Sequence, residues 1–473
     1  MIGTAAAEQA AAGFSADLFP MSCVFAFTRY ARCSVRLGTL ALVCATGLAK
    51  AQPSDGAAPA LEMAGAVREA VRTHPGVRNA EQLRLQAGEG ITAARAGYLP
   101  QLKMGVDSQN TNYPDSSYED ARNVYTAKLT VSQMLYDFGK VRNAVVKAKA
   151  GVQAGEAQVQ LSTDEVANAT AQAWVEAHLQ QALVQIAGEQ LDGVTHLAAQ
   201  VAERATKGAT TRSDVEQANS RVEAARAQLE GAQADRLRAS LDLMHLTGRD
   251  TPVAIAGEPP AWLIRYACHE GSGGANSPSV RLADAQRDQA RAELGAARAE
   301  RLPTLSLDGT FGHALNDSSR LYGEYQNTSS IGLNFSVSLY DGGGMLARER
   351  AARYQLNAAN DAAEQARLEM RQGFADALAQ ADGWARRAPV LQERVRSIHT
   401  TRDLYRQQYL QMGTRSLLDL LNAEQEYHNA RIEQAQGLHQ QYRLAVLCLY
   451  YDDRLRSAFG LNAMAEMNAG ESQ

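Results

Sequence analysis

Beyond its first fifty residues the chain has no run of about 18 apolar residues, which excludes a transmembrane helix from the body of the protein. Cysteine is scarce: Cys23, Cys33 and Cys44 fall in the N-terminal stretch and only Cys268 and Cys448 lie beyond it, too few for a disulfide-built scaffold. No spacing rule bears on whether those two pair, and the point stays open. Aromatic residues make up 6% of the chain, which suits long helices better than a compact globule. The histidines are scattered without zinc-ligand spacing and no serine sits in a nucleophile elbow, so neither a metal, a cofactor nor an enzyme is expected. Asp137-Phe138-Gly139 spells a kinase metal-binding triplet without its companion motifs, and Gly342-Gly343-Gly344 lacks the Gly-Lys-Ser/Thr of a phosphate loop. The first reads instead as a strand exit, and the second as glycines that free the backbone between strand and helix.

What is present begins with a leader. Arg29, Arg32 and Arg36 precede an apolar run from Leu37 to Leu48, and Ala49-Lys50-Ala51 is a small-x-small cleavage site, so 1–51 is expected to be a secretory leader with an alternative start at Met21. Lipidation at Cys44 is the rival reading, disfavoured by the bulk of Val43. Removal of the leader takes four basic and two acidic side chains and leaves a net charge of −7, a poor balance for nucleic acid.

Two alternating runs stand at the centre of the chain. Ile331, Leu333, Phe335, Val337 and Leu339 alternate with polar residues, as do Leu305, Leu307 and Phe311 before them, and polar residues join the two. This is a hairpin, with strands expected at about 304–312 and 328–340. Leu302-Pro303 closes the segment before it and Tyr340-Asp341 the segment after it. The same arrangement occurs earlier, with Leu99-Pro100, strands at about 101–109 and 124–136, and Tyr136-Asp137. Pro75 and Pro278 each precede their Leu-Pro by the same interval, with Arg78/Arg281, Gln86/Gln289 and Arg95/Arg298 in register between. The chain is an internal duplication: 52–248, a connector 249–277, a second copy 278–450 and a tail 451–473 expected to be mobile.

Helices flank each hairpin. From about Leu61 to Ala96 a helix bent near Pro75 is expected. From Lys140 to Thr206 no proline intervenes, and a continuous helix there would span roughly 100 Å. Val184, Ala187, Leu191, Val194, Ala198, Val201 and Ala205 alternate steps of three and four, as do Met370, Phe374, Ala377, Ala381, Trp384, Ala388 and Leu391 and their continuation to Met412. These are coiled-coil seams. Pro389 is expected to kink or break the second. Turns are expected at Gly208, restarting at Ser213-Asp214, and at Gly413, restarting at Ser416.

The fold class is therefore mainly α with a small β part. Ten-residue strands can cross an outer membrane, but four cannot close a barrel and an open edge is not tolerated in lipid. Several copies must share one barrel. With the paired Leu-Pro entries, the paired Leu-Tyr-Asp exits and Gly413-Thr414-Arg415 followed by Asp419, the chain resembles the TolC family of outer-membrane export channels. The resemblance covers essentially all of the mature sequence. It implies an outer-membrane homotrimer with a 12-stranded barrel and a periplasmic helical tunnel, engaged by an inner-membrane ABC transporter and an adaptor protein, with outer-membrane lipid around it and protein cargo within. Within the family the type I protein-secretion branch is the nearest likeness, exporters of RTX adenylate cyclase-haemolysin toxins in particular. The runner-up is the duct of a drug or metal efflux pump.

The resemblance also implies a gate at the second turn. There Arg415 would bond acceptors near Asp214 and Ser213, and Asp419, repeated by symmetry, would form an acidic ring that favours cations. The chain departs from the family at Asn422, where a second acidic residue is expected, and at Leu410, where an aromatic one is. The plainer role for Asp419 and Asp214 is to favour the first turn of the returning helix. A coiled-coil surface spike would leave the matched hairpins unexplained, and a periplasmic binding module would need an aromatic-lined pocket.

Overall fold

A computed structural model describes residues 60–111, 122–268, 274–315 and 327–461, all within one of two units of the chain, Gly56–Gln473. The expected leader, the tips of both hairpin loops and the end of the tail lie outside the described residues.

Helix α1 (Met63–Thr73) and α2 (Pro75–Arg95) are two helices where one bent helix was expected. The residue before a proline is driven out of the α region, and His74 is extended there (φ −65°, ψ 129°). Pro75 then supplies the first helical residue, where its missing N–H costs nothing. The matched proline does the same: α6 (Pro278–Ala299) opens on Pro278, capped by Ser277. Each helix ends short of its Leu-Pro, and a strand begins at the residue after the proline.

The strands β1 (Gln101–Thr111), β2 (Arg122–Tyr136), β3 (Thr304–Ala314) and β4 (Asn327–Ser336) form one antiparallel sheet in chain order. The register stacks Leu102, Val131, Gly309 and Ile331 on one face and Lys103, Thr130, Thr310 and Ser330 on the other. The apolar face is bare in a single chain, Met104 being 82% and Ile331 78% exposed. Strand β4 stops at Ser336 and does not reach the expected Tyr340. Ser336 pairs with Thr304, the first residue after Pro303, so nothing is left for 337–340 to bond.

From the sheet two long helices descend, α3 (Lys140–Thr206, 67 residues) and α7 (Gly344–Gln407, 64 residues). Each is about 100 Å long. They return as α4 (Arg212–Thr247) and α8 (Leu417–Tyr451). Pro389 does not interrupt α7. It removes one backbone hydrogen bond, while buried Leu391 and Met370 on either side anchor the helix. The α3 seam is wider than the heptad positions suggest, because Ile186, Gln190 and Leu197 are buried as well. Helix α3 packs on both α4 and α8, so a single seam cannot serve it. On α7 the seam holds until Met412, which is 61% exposed. Residues 408–412 form a π-type turn, and its wider pitch rotates Met412 off the seam.

The largest core lies midway, where Met63, Val67, Trp174, Leu243, Leu263, Val446 and Leu449 meet. Part of the connector is ordered there: α5 (Ala261–Tyr266) inserts Leu263, and Leu61 bridges Ile255. The start of the tail packs too, contrary to the expected mobility. Helix α9 (Leu455–Ala458) buries Leu455, with Phe459 and Leu461 behind it, and Arg456 pairs with buried Asp164. Apolar side chains at 455, 459 and 461 outweigh the polar end that suggested a free tail. Cys268 and Cys448 are joined by a disulfide in the same core.

Candidate functional site

The two ends of the long helices carry the candidate residues. At the sheet end, Tyr136 closes β2 and Asp137 caps α3: its carboxylate accepts the Gly139 N–H at 2.9 Å and the Val141 N–H at 2.6 Å. Asp341 repeats this by accepting the Met345 N–H at 2.7 Å. In both copies the strand-exit aspartate thus satisfies first-turn amides of the long helix, from two residues before the N-cap glycine. The backbone reverses through Gly139 (φ +96°) and Gly343 (φ +89°), a region open to glycine. Gly342-Gly343-Gly344 serves the bend between sheet and helix. Leu99, Leu302 and Tyr340 are exposed at this junction, and Pro100 and Pro303 immediately precede the strands.

At the far end, Gly208 (φ +72°) and Gly413 (φ +66°) make the turns. Helix α4 restarts two residues earlier than expected. Thr211 is the N-cap, accepting the Asp214 N–H, while Asp214 accepts the Thr211 N–H at 3.1 Å, a reciprocal capping box. The Ser213 hydroxyl bonds the Thr211 hydroxyl at 2.7 Å. The Thr210 hydroxyl, then the Thr211 amide, hold the Asp214 carboxyl below its ordinary range. Ser416 caps α8 by accepting the Asp419 N–H at 3.1 Å.

Within one chain Arg415 and Asp214 are not brought together. Arg415 donates to Gln408 at 3.1 Å, lies over the Tyr405 ring at 4.3 Å and stands 3.7 Å from Asp419. Thr414 donates its N–H to the Gln408 carbonyl, closing the π turn. The Asp419 carboxylate is otherwise open, its side chain 44% exposed. Asn422 of α8 accepts from Arg221 of α4 at 3.4 Å, so it joins the two helical hairpins. Leu410 does likewise through its carbonyl, which accepts from Arg204 at 2.9 Å.

Further cross-links rise above the turns, and the sequence reading missed them. Gln190 donates to Gln425 at 3.2 Å and Glu189 pairs with Arg431, both joining α3 to α8. Within the second pair of helices Arg406 donates to buried Glu424 at 2.7 Å. Burial pushes the Glu424 carboxyl up against the pull of Arg406, and burial pushes neighbouring His428 down to about 4. A signal existed: Leu417, Leu420, Leu421, Glu424 and His428 keep three-and-four spacing, so a carboxylate and an imidazole occupy core positions. Among the described residues no cluster of three or more metal-ligating side chains is found.

Comparison with known proteins agrees with this architecture. The family model described as outer membrane efflux protein matches residues 66–249 and 274–449, one block in each repeat. The chain is 26% identical over 413 residues to the proteases secretion protein PrtF of Dickeya chrysanthemi, covering 80% of this chain and 85% of that one. It is 24% identical over 358 residues to the outer membrane efflux protein BepC of Brucella suis, covering 74% and 76%. The solved structure of CusC superposes with a TM-score of 0.72 at 20% identity, over 82% of this chain and 91% of that one.

Proposed function

The chain belongs to the outer membrane efflux protein family, the TolC family of non-enzymatic outer-membrane channels with a periplasmic helical tunnel, and from that premise we propose that it is the duct of a type I protein-secretion assembly. Channels of this family are trimeric and work with inner-membrane transporters and adaptors. In the proposed assembly three copies each contribute four strands to one barrel, because β1 and β4 each carry an open edge that lipid would not tolerate. The apolar sheet face meets lipid. The polar face, with Lys103, Lys128, Asp107 and Asp308, lines the lumen. An ABC transporter and an adaptor would engage the turns around Gly208 and Gly413 and deliver an unfolded protein, an RTX toxin being the cargo the likeness suggests.

The observation that carries the secretion reading is the similarity to a protease-secretion protein along 85% of that relative's length. Similarity to an efflux protein over comparable length keeps drug or metal efflux as the second reading. At the turns, Asp419 is proposed to form the lumenal acidic ring, and Arg415 to tie neighbouring copies near Asp214. Co-expression with a type I transporter, its adaptor and a repeat-protein cargo, in a strain lacking such channels, tests the choice. Cargo in the medium only when this chain is present is the expected result. Restored drug or metal resistance without secreted cargo would overturn it in favour of efflux.

A further inference from the structure

Directly below the strand entry Leu302-Pro303, three guanidinium groups converge on one buried carboxylate. Glu349, in the second turn of α7, is 8% exposed. It accepts from Arg301 at 3.1 Å, from Arg353 at 3.2 Å and from Arg298 at 3.4 Å. The Arg301 guanidinium foremost holds the carboxyl below its ordinary range, so it stays charged. Three arginines against one carboxylate leave two positive charges over; neighbouring Arg348, bonded to Glu300 at 2.9 Å and Asp341 at 3.3 Å, gives one back as negative charge, leaving the junction net positive. Each guanidinium carries five N–H donors, and all three side chains remain more than half exposed. Most of those donors therefore point away from Glu349 into solvent, held in place by it.

The fold does not require this cluster. The repeats run at an offset of 204 at the strand exits, where Tyr136 answers Tyr340, and that offset places Val145 where Glu349 stands. At the strand entries Leu99 answers Leu302, and Tyr98 occupies the place of Arg301. The first repeat thus lacks the carboxylate and the Arg301 counterpart, while Arg95 and Lys149 match Arg298 and Arg353. What the second repeat adds is the buried Glu349 that gathers these guanidinium groups, at the level where the sheet ends and the long helices begin. Leu302, Leu339 and Tyr340 stand exposed around it, Leu339 at 90% and Tyr340 at 85%. Apolar and tyrosine side chains at that height with basic groups beneath them are what a bilayer interface selects.

We propose that Arg298, Arg301 and Arg353, organised by Glu349, form a binding site for the phosphodiester headgroup of an anionic phospholipid in the inner leaflet of the outer membrane. A guanidinium fork matches two phosphate oxygens at once, and the acyl chains would run up past Leu302 and Leu339 beside the sheet. The site fixes the depth of the channel in the membrane and is independent of whether the cargo is protein or drug.

The test is native mass spectrometry of the full mature chain as a trimer in neutral detergent, titrated with dioleoylphosphatidylglycerol and, separately, dioleoylphosphatidylcholine. The wild type is expected to retain the anionic lipid preferentially. The Arg301→Gln/Arg353→Gln variant is expected to weaken that retention roughly twenty-fivefold, at about a fivefold loss per basic residue near a charged surface. Arg386→Gln/Arg396→Gln, far down α7, should retain it as wild type does. The trimer mass in each spectrum reports assembly. If the first variant does not assemble, high salt on the wild type must abolish the preference while leaving the trimer. Equal retention of the two lipids by wild type, unaltered retention by the first variant, or equally good binding of soluble glycerol phosphate would each overturn the proposal.

Discussion

Replacing Trp174 with alanine is expected to destabilise the folded chain by about 3–5 kcal/mol, the range for deleting a buried tryptophan. Trp174 is fully buried on α3 at the meeting point of both repeats. Its ring stacks on His178 with centroids 5.4 Å apart, and its indole N–H donates to the Leu61 carbonyl at 2.9 Å. Leu61 in turn donates to the Ala254 carbonyl and accepts from the Ala256 N–H, so one side chain ties the long helix to the connector. Loss of the ring opens a cavity that rigid helices cannot close. Trp174→Phe keeps most of the volume, and the Leu61 carbonyl keeps Ala256, so its cost should be only about 1 kcal/mol. Denaturant titration followed by far-ultraviolet circular dichroism measures both. An alanine variant within 1 kcal/mol of wild type would refute the packing account.

Comparable in size is the effect of removing the disulfide. Cys268 and Cys448 are 180 residues apart, and closing so long a loop restricts the unfolded chain by about 5 kcal/mol in the chain-entropy picture. An oxidising periplasm lets the bond persist. Cys268→Ala/Cys448→Ala, or a reductant acting on wild type, should therefore lower the denaturation midpoint markedly. The non-reducing gel mobility of the denatured wild type should shift on reduction, and that of the variant should not. Equal midpoints would show that the crosslink contributes nothing beyond the packing of its own helices.

The duplication was legible because its marks are backbone events. Pro75 and Pro278 both open helices, Gly208 and Gly413 both carry positive φ, and Asp137 and Asp341 both cap a long helix. A residue type that only one conformation tolerates can be read without a structure. The less legible features depend on what lies across from a residue. Pro389 looked like a breaker, yet α7 runs on through it, held by buried Ala377 before it and Leu391 after it. Strand β4 ends where its partner begins, and the alternation of Val337 and Leu339 continues past that point with no strand to bond. The π turn at 408–412 leaves no periodic trace, since Met412 keeps the three-and-four step in sequence and leaves the seam only in the structure. The ties between coils, Gln190 to Gln425 and Arg204 to the Leu410 carbonyl, involve residues over two hundred positions apart. Such pairs do not register in any local pattern. Arg415 and Asp214 illustrate the converse: both stand near the turns, and the proposed bond between them would need a neighbouring copy.

The most direct test of the channel account is single-channel recording of the mature trimer in a planar bilayer, wild type against Asp419→Ala. The account predicts a cation-selective pore whose selectivity falls when the three exposed carboxylates near the turns are removed. Silence from correctly assembled wild-type trimers, in a bilayer that conducts with a control porin, would contradict it.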